Sequence, residues 1–87
     1  MSSSGPRIAK VERIVQENPI VLFVLSYAHK ENDGILTILK TMKTEFKTIY
    51  VDENVRIRLG VQEYTGKEEF PLLFIGGQLK DISEFEQ

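Results

Sequence analysis

Hydrophobic residues near the start of the chain recur at two spacings, and the switch between them marks the first element boundary. Ile8, Val11, Ile14 and Val15 recur every three to four residues, with Arg7, Lys10, Glu12, Arg13 and Glu17 between them. That is the period of a helix with one buried face. Ser4 followed by Gly5-Pro6 suits its start, because the first turn does not need proline's missing N–H. Asn18-Pro19 ends it, since proline disfavours a helical residue before it. Ile20 to Val24 is apolar without alternation and rich in β-branched residues, as in a strand covered on both faces.

After a polar loop from Ser26 to Asp33, Ile35, Ile38, Leu39 and Met42 restore the helical period, with Asn32 or Asp33 as the expected cap. Phe46 to Val51 predicts a second strand, and Asp52 is the expected cap of a third helix with Val55, Leu59 and Tyr64 turned inward and Gly66-Lys67 at its end. Leu72 to Ile75 and Gln78 to Lys80, joined by Gly76-Gly77, predict a hairpin. Ser83 and Glu86 have the spacing of a capping box, so a last, short or truncated helix is expected where the sequence stops. The alternation predicts an α/β domain with a parallel strand pair and an antiparallel hairpin at the sheet edge.

Composition changes this picture little. The chain has 87 residues, 41% hydrophobic and 28% charged, which suits one globular domain over residues 1–87, with 1–5 a flexible N-terminal segment. Eleven Lys and Arg against thirteen Asp and Glu leave a net charge of −2. So balanced a chain offers no broad positive surface for nucleic acid. The longest apolar run, Ile20 to Leu25, is far short of the roughly 20 residues that span a bilayer. The absence of cysteine excludes disulfides, thiolate metal sites and thiol chemistry by the chain itself. A cytoplasmic location is the expectation.

"NPIVLF", "VRIRLGVQEYTG" and "FPLLFIGGQL", in this order of elements, resemble a glutaredoxin within the thioredoxin fold, and the second half is closest to monothiol members. The likeness runs over about residues 8–86. It implies a central four-stranded mixed sheet flanked by helices, and a cis Pro71 that offers the backbone of Phe70 to an extended peptide. By the same resemblance a reactive cysteine belongs at Ala28 or His29, a second thiol near Glu31 or Asn32, and a lysine at Leu25. The family's Gly-Gly falls on Asp81-Ile82 and its Asp on Glu84, whereas Arg58 matches an arginine that meets a glutathione carboxylate.

The degenerate site is therefore Leu25, Ala28, His29 and Glu31, and the remaining groove candidates are Tyr27, Arg58, Phe70, Pro71 and Glu84. These departures imply a redox-inactive glutaredoxin-like domain serving as a protein-binding or structural module. Its partner is expected to be a protein segment or a neighbouring domain of a longer chain. No cofactor or metal is expected, with glutathione binding weak at most, and neither nucleic acid nor membrane is an expected partner. The alternative is a glutathione-dependent disulfide oxidoreductase whose parent form carries cysteine near position 28 or 29.

Other motifs read more plainly. His29, the only histidine, is expected to be an exposed loop residue, and Glu31 with Asp33 and Glu68 with Glu69 to be solvated pairs. Ile75 to Gln78 lacks the spacing of a phosphate loop. Lys10, Arg13 and Arg56 are expected to be ordinary surface charge. Tyr27, Tyr64 and Phe70 are expected to gather around the groove.

Overall fold

The computed structural model describes residues 5–81. Its elements run α1 (Pro6–Glu17), β1 (Ile20–Val24), α2 (His29–Thr41), β2 (Lys47–Tyr50), a 3-10 turn (Val51–Glu53), α3 (Val55–Thr65), β3 (Leu72–Ile75) and β4 (Gln78–Lys80). The four strands form one sheet in the order β2-β1-β3-β4. β1 runs parallel to β2 and antiparallel to β3, and β3 pairs antiparallel with β4. The expected four-stranded mixed sheet is present; the expected capping box at Ser83 and the last helix lie outside the described residues.

The lack of alternation in β1 has a direct structural cause. Val21 and Phe23 meet Leu72 and Phe74 of β3, Val11 and Val15 of α1, and Ile57 and Val61 of α3 in one buried cluster. Ile20, Leu22 and Val24 join Leu73 and, from α2, Ile35 and Leu39 in a second. Successive side chains of a strand point to opposite faces, so both faces of β1 are covered and all five of its residues are buried. Complete burial of each such side chain is worth roughly 1.5–3 kcal/mol. The Phe23 and Phe74 rings meet edge to face, with centroids 5.7 Å apart at 88°.

Two helix boundaries differ from expectation. α2 begins three residues ahead of Asn32, with Ala28 as its cap and no side chain serving there. Asn32 is instead 5% exposed in the first turn. Asp52 lies in the 3-10 turn, and Asn54 caps α3 by accepting a hydrogen bond from the Ile57 N–H at 3.2 Å. α3 buries Ile57, Gly60 and Val61. Val55 and Leu59, expected inside, are 64% and 38% exposed. Met42 is also exposed, because it is the residue on which α2 ends.

Glycine has a structural role in the hairpin turn and between α1 and α3. Gly76 and Gly77 have φ of 61° and 81°, and the tightest hairpin turn needs positive φ at both central positions. Gly60 sits where α3 lies tightly against α1: a β-carbon there would lie 2.7 Å from the Arg7 carbonyl oxygen and 2.9 Å from Val11 Cγ2.

Candidate functional site

The junction between β1 and α2 is built from backbone turns closed by polar side chains. The Leu25 carbonyl accepts two hydrogen bonds, from the Ala28 N–H at 3.1 Å and from Asn32 Nδ2 at 2.7 Å. The Asn32 N–H donates in turn to the Ala28 carbonyl at 2.9 Å. Asn32 is therefore a core brace that holds the end of the strand against the start of the helix, and its buried Oδ1 has no hydrogen-bond partner.

A second brace joins this loop to the end of β2. Ser26 donates its backbone N–H to Asp52 Oδ1 at 2.8 Å and its hydroxyl to Oδ2 at 2.5 Å. Val24 and Tyr50 are register partners at the ends of the parallel pair, so the two following turns meet side by side. The Ser26 hydroxyl and then its N–H hold the Asp52 carboxyl below its ordinary value of 3.8. Partial burial opposes them, while the carboxyl's own backbone N–H and the Arg58 guanidinium assist. Hydrogen bonds to the charged form favour it. No spacing rule would have paired Ser26 with Asp52, and Asp52 looked like a helix cap because it stands just ahead of an apolar helical pattern.

The residues singled out from the sequence occupy distinct settings. Leu25 is half-buried against the cluster shared by α1 and α3. Tyr27 is 66% exposed, Ala28 caps α2, and His29 and Glu31 are exposed in its first turn. Arg58 is half-buried, and its charge bears on Asp52. Phe70 is half-buried against the same cluster as Leu25, and its peptide bond to Pro71 is cis. Tyr64 lies beside Phe74, ring centroids 6.0 Å apart, and is a packing residue. Pro71 borders a cleft of about 380 Å³ with Lys67 and Glu69 on one side and Leu79 and Lys80 of β4 on the other. Ile82 and Glu84 lie outside the described residues.

The chemistry this arrangement can support is limited by its donor set. A helix N-terminus beside the end of a central strand favours an anion or a thiolate, but the residues there are Ala28, His29 and Lys30. Among the described residues, no three His, Cys, Asp or Glu side chains converge as a metal site, and no helix is long and apolar enough to cross a membrane.

A strand, a helix and a parallel strand followed by a hairpin, with a cis proline leading into β3, define a protein of the thioredoxin fold. The glutaredoxin family model matches residues 35–80, just over half of the chain, and the chain belongs to the glutaredoxin family. Monothiol glutaredoxin-S14, chloroplastic, from Arabidopsis thaliana is 31% identical over 72 residues, which cover 78% of this chain and 42% of that protein. The chain thus spans less than half the length of this relative. Wheat glutaredoxin superposes with a TM-score of 0.74 at 28% identity, covering 88% of this chain and 73% of that one. The buckwheat glutaredoxin–glutathione complex gives a TM-score of 0.72 at 24% identity, over 84% of this chain and 68% of that one. The resemblance read from "FPLLFIGGQL" and its neighbours is thereby upheld.

Proposed function

We propose that this glutaredoxin-like domain is redox-inactive and serves as a protein-binding module, its partner a protein segment that meets the surface around the β1–α2 junction. The observation that carries the reading is the lack of any cysteine in a chain that retains the family's fold. Disulfide exchange requires a thiolate to attack a sulfur, and neither Ala28 nor His29 supplies one. Tyr27, 66% exposed at the junction, leaves a large aromatic side chain for a partner to cover.

Any glutathione binding is weak. Buckwheat glutaredoxin forms a complex with glutathione, but here Leu25 stands where the family's lysine belongs, and the charge of Arg58 is shared with Asp52.

A glutathione-coupled disulfide reductase assay tests the first half of the proposal: no turnover above the uncatalysed rate is expected, and measurable turnover by the pure protein overturns it. Glutathione titration, followed through the backbone amides of Arg58, Phe70 and Glu84, tests the second ligand. No saturable shift at millimolar concentration removes glutathione from the proposal. For the module itself, Tyr27→Glu should abolish retention of a protein partner that the unmodified domain captures. Undiminished retention places that partner elsewhere on the molecule.

A further inference from the structure

The cleft between the first turns of α1 and α3 is separate from the β1–α2 junction and has a cavity of about 850 Å³. Pro6 and Ile8 of α1 and Ile57 of α3 supply apolar walls. Arg7 and Glu63 bridge one side with an ion pair at 2.6 Å, so that these two charges cancel. Lys10 and Arg56 also line the cleft. Both are exposed, and neither has an ion pair or side-chain hydrogen bond among the described residues.

Two features make this more than ordinary surface charge. Arg56 stands in the first turn of a helix that has no acidic residue there, where the helix dipole disfavours a cation. The chain as a whole has a net charge of −2, so this local excess of positive charge runs against the background. Sequence spacing gives no reason to associate Lys10 with Arg56; the packing of α1 on α3 does.

We propose that this cleft docks an acidic peptide segment of a partner protein, with an apolar side chain entering between Ile8 and Ile57 and flanking carboxylates meeting Lys10 and Arg56. The volume is that of a pocket for a ligand of substantial size, roughly 300–1,000 Å³, and a lone inorganic anion would leave the apolar walls unused. Val55 at 64% exposure and Leu59 at 38% are further exposed apolar side chains on α3, the helix that carries Arg56 and Ile57. Two unpaired cations on a net-negative protein complement a short acidic segment and fall short of what a nucleic-acid backbone requires.

The test uses the full chain and the peptide Glu-Glu-Leu-Glu-Glu-amide carrying fluorescein on its N-terminal amine, titrated by anisotropy and by backbone amide shifts. The expected result is saturable binding with shifts at Ile8, Lys10, Arg56 and Ile57. Lys10→Glu combined with Arg56→Glu should lower affinity by about tenfold or more, and raising salt to about 0.5 M should weaken binding strongly. Both substituted residues are exposed, so an unchanged circular dichroism spectrum accompanies the loss. Tyr27→Glu, at a residue 66% exposed in the β1–α2 junction, should leave this binding intact, which separates it from the surface proposed for that junction.

Several results overturn the proposal: no saturation at millimolar peptide, undiminished binding by the double variant, or inorganic phosphate binding as tightly as the peptide. A self-association of the chain that the double variant abolishes would assign the cleft to a second copy and overturn it as well.

Discussion

Gly60→Ala tests the contact that sets the spacing of α1 and α3. The new methyl carbon would sit 2.7 Å from the Arg7 carbonyl oxygen and 2.9 Å from Val11 Cγ2. The first obstacle is backbone and cannot rotate away, so α1 must shift from α3 and loosen the packing of Val11 and Val61, both fully buried. Overpacking of this kind costs roughly 1–3 kcal/mol, and the rigidity of the carbonyl argues for the upper half of that range. Replacing glycine in a helix interior returns about 1 kcal/mol. The net expectation is a loss of about 1–2 kcal/mol, a fall in Tm of roughly 5–15 °C for a domain of this size.

Gly34→Ala is the matched control. Gly34 lies inside α2 with no atom within 4 Å of a built β-carbon, so the same change should stabilise by about 0.4–1 kcal/mol. Urea and thermal unfolding followed by circular dichroism measure both variants. The reasoning fails if Gly60→Ala is as stable as Gly34→Ala, because only the α1–α3 approach distinguishes the two sites.

Three further outcomes follow from named contacts. Asp52 has a carboxyl pKa lowered first by the Ser26 hydroxyl, so its contribution is present above the ordinary value of 3.8 and is lost as pH falls through the lower folded value; urea titrations from neutral to strongly acidic pH should show Asp52→Asn removing that part of the acid sensitivity. Asn32→Asp would place a charge at a 5%-exposed position against the Leu25 carbonyl, costing about 2 kcal/mol or more at neutral pH and less in acid, which the same unfolding series reads as an inverted pH slope. Phe23→Ala empties the centre of the larger cluster and the edge-to-face contact with Phe74; a loss of about 3–5 kcal/mol is expected, and a loss below 1 kcal/mol in urea unfolding would refute the assigned packing.

Legibility in the sequence followed the range of the interactions involved. The strands at Leu72 to Ile75 and Gln78 to Lys80 were predicted residue for residue, because a glycine pair that needs positive φ sits between them and acts locally. β1 was equally plain, since a strand buried on both faces shows as an unbroken apolar run. On α3, Tyr64 packs inward as expected, but Val55 and Leu59 do not: their helical spacing is matched by Ile57 and Val61 with Gly60, and a glycine gives no hydrophobic signal although it faces the core. Asn32, like Asp33, has the sequence appearance of a cap because its side chain is polar and near a helix start. The Leu25 carbonyl that it serves is seven residues away and becomes its neighbour only when the strand turns into the helix.

By itself, the sequence determined the order of elements, the α/β class, the family likeness and the exclusion of thiol chemistry, since periodicity, turn residues and composition act over a few positions or over none. Tertiary structure alone decided which face of α3 is buried, that Asp52 is held by Ser26, and that Lys10 and Arg56 share one cleft. Each of these depends on residues far apart in the chain meeting in space, and burial, hydrogen bonding and charge are properties of that meeting.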